Sequence, residues 1–192
     1  MKLKEYLKDE ITSIFNSWCD DGIYAISFLL TSNELSTYKG INNFPEFSVG
    51  YNTEQECEGA DELSEERWNY ALWKQNNVLI ISPDNDDSAK LLLDWYNENG
   101  IENIGNPENE NDSYNEKGEY IGKGPVGYYE LITLISDIAK EFQTSGAVYN
   151  KFGKIPIIVH DLEYSWLTRV LTSNANPNEE ATNFLKYLSL NE

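Results

Sequence analysis

Apolar residues at Leu3, Tyr6, Leu7, Ile11, Ile14, Phe15 and Trp18 recur at the spacing of one helical face. The chain therefore opens on an amphipathic helix over 3–18. Asp20-Asp21-Gly22 ends it, because glycine takes the positive φ of a turn without steric cost. The next nine residues, Ile23 to Thr31, are β-prone and apolar at both odd and even positions, the mark of a central strand covered on both faces. After a polar stretch, Phe47, Val49 and Tyr51 alternate with Ser48 and Gly50, which predicts a half-buried strand antiparallel to the first.

Thr53-Glu54-Gln55-Glu56 has the form of a capping box and predicts a short acidic helix to about Leu63. Ser64 to Trp73 then packs Trp68, Tyr70 and Trp73 around Arg67. Alternation of Trp68, Tyr70 and Leu72 with Asn69 and Ala71 favours a third strand over a helix. Val78 to Ile81 is a strand or the lead-in to the next helix. That helix starts at the acidic run Asp84 to Asp87, buries Ala89, Leu92, Leu93 and Tyr96, and stops at Gly100.

Residues 102–124 lack periodic hydrophobics and read as one long loop, whose aromatics Tyr114 and Tyr120 either anchor it to the body, the favoured reading, or face a partner. Gly124-Pro125-Val126-Gly127 opens the most apolar helix, which carries Tyr128, Leu131, Ile132, Ile135, Ile138, Ala139 and Phe142 to near Gly146. Ile155 to His160 predicts a strand, with Pro156 placing it at an edge or at the strand start. Helices over 162–171 and 177–188 close the chain, the latter with Pro177 in its first turn. The fold class is α+β: a single domain, 1–192, with a small, mostly antiparallel sheet of about four strands packed with about five or six helices.

Charge narrows the range of partners. The 14 Lys and Arg face 33 Asp and Glu, a net charge of −19 in 192 residues. Such a field opposes phosphate backbones and anionic lipid and favours a basic protein surface, so neither nucleic acid nor membrane is an expected partner. Cys19 and Cys57 form no metal or redox motif, and two unpaired thiols suit a cytoplasmic protein. No run reaches the roughly 20 apolar residues of a membrane span.

Chemistry has few candidates. His160, the single histidine, ends a predicted strand and is the one candidate general base, with Asp161 or Glu163 to orient it. Adjacent strand residues point to opposite faces, however, and no nucleophile pattern accompanies the pair, so a structural histidine is the favoured reading. The acidic runs at 84–87 and 108–112 lack the loop pattern of a calcium site, and no cofactor or metal is expected. Arg67 suits a packing role, paired with a carboxylate or stacked on Trp68 or Trp73.

Ile23-Tyr24-Ala25-Ile26-Ser27-Phe28 after an opening helix, then Ser48-Val49-Gly50-Tyr51-Asn52-Thr53-Glu54, Glu66-Arg67-Trp68 and Trp73, resemble the bacterial domain-of-unknown-function family 4303. The similarity covers roughly the first half of the chain. Such proteins resemble the cytoplasmic immunity proteins of polymorphic toxin systems, and this likeness implies a protein that binds and neutralises a cognate toxin domain. The partner surface is then acidic and is sought among Glu54, Glu56, Glu58, Asp61, Glu62, Glu108, Glu110 and Asp112. The alternatives are a hydrolase-type enzyme using His160 as base and a non-catalytic regulatory or scaffold protein.

Overall fold

The computed structural model describes residues 2–57, 59–109 and 113–190. Among these, the chain is α+β, with seven α-helices and one four-stranded mixed sheet. Helix α1 (Leu3–Ser17) leads into strand β1 (Ile23–Thr31), which pairs antiparallel with β2 (Glu46–Thr53) in the register Phe28 to Val49. The edge strand β3 (Val78–Ile81) pairs antiparallel with β2, and β4 (Ile157–His160) pairs parallel with β1 on the other side. The order is β3-β2-β1-β4.

The double-sided apolar pattern of β1 is used in full. Ile26, Phe28 and Leu30 face one core with Phe47, Val49, Ile157 and Val159, covered by α1, α3 (Asp86–Glu98), α4 (Tyr128–Thr144) and α6 (Trp166–Ala175). Ala25 and Leu29 face a second, smaller core with Ile158, Trp68, Tyr70, Trp73 and Phe184. Its cover is the segment around α2 (Glu65–Trp68) together with α7 (Thr182–Leu190). Full burial of a side chain of this size contributes about 2–3 kcal/mol, so each cover is held chiefly by its aromatic and branched residues.

Several elements differ from the sequence-based expectation. Ser64 to Trp73 is not a strand: α2 is followed by a 3₁₀ turn (Tyr70–Leu72), with Leu72 exposed. Its polar alternation reflects a compact cover in which Trp68, Tyr70 and Trp73 all turn to the sheet. The expected helix to about Leu63 does not form among the described residues. Thr53 ends β2 opposite Ile23, and its carbonyl accepts from the Glu56 N–H at 3.1 Å in a turn. The stretch to Leu63 has too few periodic apolar residues to hold a helix against the body. The closing helices start later than expected, at Trp166 and Thr182, because Ser165 caps α6 and 177–181 forms turns, which takes Pro177 out of α7. A short helix α5 (Ala147–Phe152) was not anticipated at all.

The β4 edge is closed by side chains. In a parallel pair, alternate residues of the edge strand turn their N–H and C=O groups outward, and these need partners when buried. The Asn176 amide at the end of α6 accepts from Ile157 N–H at 2.9 Å and donates to Ile157 C=O at 2.7 Å. Thr172 Oγ1 accepts from Val159 N–H at 3.0 Å. Two side chains, Thr172 on α6 and its cap residue Asn176, thus stand in for a neighbouring strand.

At the other end of α4, Gly127 has φ of 93° and its carbonyl accepts from the buried Tyr96 hydroxyl at 3.0 Å. A Cβ there would lie 2.9 Å from the Tyr96 ring, so only glycine fits. This clamp fixes where α4 begins. No helix among the described residues is long and apolar enough to cross a membrane.

Candidate functional site

A cleft of about 1120 Å³ opens where β1 and β4 end and α4 and α6 begin. Ser32 and Asp161, the residues following the two parallel strands, meet Tyr128 and Trp166, the first residues of the two helices, in its lining. Carboxyl ends of parallel strands are where open α/β sheets place ligands, because the flanking helices diverge there. The outer wall is the polar loop, tied down by Trp166 Nε1 donating to Gly122 C=O at 3.1 Å. Within that loop the Glu108 carboxylate accepts from the Tyr120 hydroxyl and, at 2.9 Å, from Lys123 N–H. Glu108 therefore shapes the loop from within. Tyr114 and Tyr120 pair edge-on at 5.6 Å, with Tyr114 left exposed.

Asp161 is half-buried at the base of the cleft. Its carboxylate accepts from Leu162 N–H at 2.6 Å and lies 2.9 Å from the Tyr128 hydroxyl, which also meets Leu30 C=O at 2.9 Å. Burial raises the Asp161 pKa against the two hydrogen bonds that oppose it, and burial likewise pushes the Tyr128 hydroxyl well above its usual range. Glu163 and Leu162 stand exposed on the rim.

His160 is not part of the cleft. It is fully buried between Tyr70, with ring centroids 4.8 Å apart, and Tyr164 at 5.5 Å. Its Nδ1 lies 2.7 Å from the backbone carbonyl of Asp161, which can only accept, so Nδ1 carries the proton. Nε2 then accepts from Ser27 Oγ at 2.7 Å. The bond order is that of a nucleophile and its base, yet Ser27 is as fully buried as His160 and neither lines the cleft. Burial lowers the His160 pKa to about 4, which keeps the ring neutral. A hydrolase built on His160 has no substrate access in this arrangement. The Asp161 carboxylate does not orient the ring; it turns to Tyr128 instead.

The acidic residues singled out from sequence fall in two places. Glu54, Glu56, Asp61 and Glu62 lie on the outer side of the second cover, joined there by Glu65 and Glu66, and all six are exposed. Glu108 lies in the cleft loop. Glu58, Glu110 and Asp112 fall outside the described residues. Glu62 accepts from Asn183 Nδ2, in the first turn of α7, at 3.2 Å. Among the described residues only Glu54 of this group forms an ion pair. Among those residues, too, no three His, Cys, Asp or Glu side chains gather to hold a metal ion.

Glu54 pairs with Arg67 through two hydrogen bonds of 2.8 and 2.5 Å, and the Arg67 guanidinium lies 4.1 Å over the Tyr24 ring. The pair holds the Glu54 carboxyl below its usual range. The Arg67 carbonyl accepts from both Tyr24 Oη, at 2.6 Å, and Trp73 Nε1, at 2.9 Å, while Trp68 C=O accepts from Tyr164 Oη at 2.6 Å. Arg67, Trp68 and Trp73 are thus the fastening of the second cover to the sheet and to the back of the cleft. Lysine cannot reproduce a planar fork that both bridges a carboxylate and stacks on a ring. Arg67→Lys should lower the unfolding free energy by about 1 kcal/mol and Arg67→Ala by about 2 kcal/mol. Urea denaturation of the purified variants measures both.

No family model, curated protein or solved structure matches this chain. Its function is accordingly argued from the site. Sequence reasoning named Asp161 and Glu163 only as companions of His160. It missed Tyr128, Leu162, Tyr164 and Trp166 as a group, since nothing along the chain joins residues of a helix start to those following a strand until the parallel pairing of β1 and β4 is known.

Proposed function

We propose that this protein is a non-catalytic, immunity-type binder that neutralises a cationic partner protein, a cognate bacterial toxin domain, in the cytoplasm. The observation that carries the reading is the separation of charge from chemistry. The one histidine is sealed beneath two tyrosine rings, whereas Glu56, Asp61, Glu65 and Glu66 stand exposed with no ion pair among the described residues. Unpaired like charges on one face oppose folding and repay that cost when a complementary surface arrives.

The test is co-expression with the product of the adjacent gene. Wild-type protein is expected to rescue growth and to co-purify with that product. Raising salt from about 0.1 to 0.5 M is expected to weaken the complex on the order of tenfold, as screening predicts for an interface built on exposed charge. Absence of rescue and of binding would discard the proposal.

A further inference from the structure

We infer that the cleft at the ends of β1 and β4 is the docking groove for a short extended segment of that cationic partner, one that carries apolar side chains beside a lysine or arginine. This deepens the proposed function and rests on it for the identity of the partner.

Two independent observations define the occupant. The first is apolar surface. Of the eleven exposed large hydrophobic residues among those described, Tyr114, Ile121, Leu162 and Val170 all line this one cleft. Leu162 is 66% exposed and Val170 51% exposed, a poor placement for residues with nothing to cover them. Scattered single hydrophobics need no explanation, but a cluster rimmed by polar groups marks a binding surface. At about 1120 Å³ the space exceeds that of a typical small-molecule pocket and suits several residues of peptide.

The second is charge. Glu108, Glu119, Asp161 and Glu163 line the cleft against two cations, Lys123 and Arg169. Both cations are engaged. Lys123 Nζ sits 4.5 Å over the Tyr129 ring, and Arg169 Nη1 donates to Ser189 Oγ at 2.8 Å on α7. An anionic occupant would meet four carboxylates and two cations that are already engaged by neighbouring groups. A cationic side chain reaching Asp161 would meet a half-buried carboxylate whose attraction is strengthened by the low local dielectric. Burial, and to a smaller extent the Glu163 charge, raises that carboxyl's pKa, so an arriving cation is expected to draw it back down.

The test uses amide NMR of the full chain with three blocked tetrapeptides: Phe-Lys-Leu-Arg, Phe-Glu-Leu-Glu and Ser-Lys-Ser-Arg. Saturable shifts confined to 119–125 and 161–170, strongest for Phe-Lys-Leu-Arg, are expected. Leu162→Arg and Val170→Arg, both at exposed positions, should each weaken that binding at least about tenfold. Equal response to Ser-Lys-Ser-Arg, shifts centred on 54–66, or no saturable response would overturn the assignment. So would shifts that depend on protein concentration without peptide, which would make a second copy the occupant.

The same two variants are then assayed for rescue against the adjacent gene product. If rescue survives both variants and the peptide is excluded, the cleft assignment fails and the immunity reading stands. If the peptide seats in the cleft but wild type gives no rescue, the immunity reading fails and the cleft stands as a peptide groove.

Discussion

Asn176→Leu is expected to cost about 3–4 kcal/mol of folding stability, a large share of what holds a domain of this size together. The leucine would fill the volume and remain apolar, so the loss comes from hydrogen bonds alone. The Asn176 amide presents Oδ1 to Ile157 N–H and Nδ2 to Ile157 C=O, reproducing the pattern a neighbouring strand would offer. It also accepts from Gln143 Nε2 at 2.9 Å and donates to Thr172 C=O at 2.7 Å. Gln143 keeps a second acceptor in Ile155 C=O. Ile157 keeps none on that side, and each buried backbone group left unpaired costs about 1–3 kcal/mol. Thr172→Val, which removes the partner of Val159 N–H and a longer bond of 3.3 Å to Val159 C=O, should cost about half as much. Urea denaturation gives the magnitudes, and hydrogen exchange locates them: the Ile157 amide should lose protection in Asn176→Leu, the Val159 amide in Thr172→Val. Unchanged exchange at Ile157 would show that α6 does not cap the edge.

That device explains why β4 can be both an edge strand and fully buried. Pro156 correctly pointed to an edge or a strand start: it precedes β4, and its carbonyl accepts from Ile26 N–H at 3.0 Å. What no local pattern could express is that Thr172 on α6 and its cap residue Asn176, four positions on, would substitute for a missing neighbour. Long periodic segments were legible because their burial is decided within the segment. The faces of α1, α3 and α4 and the two-sided run of β1 are of this kind. Ser64 to Trp73 was misread for the opposite reason. Its aromatics alternate along the chain, but their common direction is set by Tyr24, Tyr164 and the sheet, through bonds to the Arg67 and Trp68 carbonyls.

The candidate site divides in the same way. Acidity and exposure of 54–66 could be read from composition, because charged residues without apolar periodicity stay at the surface. Participation of Glu54 and Glu108 in internal hydrogen bonds could not, since their partners Arg67 and Tyr120 are chosen by the fold. His160 was legible as unique but not as inaccessible. Its position at a strand end suited a functional residue equally well. Only the rings of Tyr70 and Tyr164, brought from two separate segments, decide that it is buried.

The stability of the fold is expected to fall by about 3 kcal/mol between pH 6.5 and pH 4 through His160 alone. Its pKa is lowered from 6.5 to about 4 by burial, so the unfolded chain takes up a proton in this interval and the folded protein does not. Above pH 6.5 both states are neutral and the group contributes no pH dependence. As pH falls below 6.5, stability drops at about 1.4 kcal/mol per unit, levelling near pH 4 where the folded ring also protonates. Neither Tyr70 nor Tyr164, the rings against it, titrates in this range, and Ser27 and the Asp161 carbonyl carry no charge. Carboxyls whose pKa is lowered by ion pairs, Glu54 and Glu141 among them, act below their unfolded values near 4.5 and so barely enter the upper part of the window. Asp161, raised by burial, works in the opposite sense, gaining protons in the folded state first. The comparison that isolates His160 is therefore wild type against His160→Gln, which can still accept from Ser27 but takes up no proton. Between pH 6.5 and 5 the wild-type slope should exceed that of the variant by about 1 kcal/mol per unit on average. With one histidine in the chain, the imidazole Cε1–H resonance is unambiguous, and it should not move between pH 8 and pH 5. A titration midpoint near 6.5 would place the ring in contact with water and reopen His160 as a base.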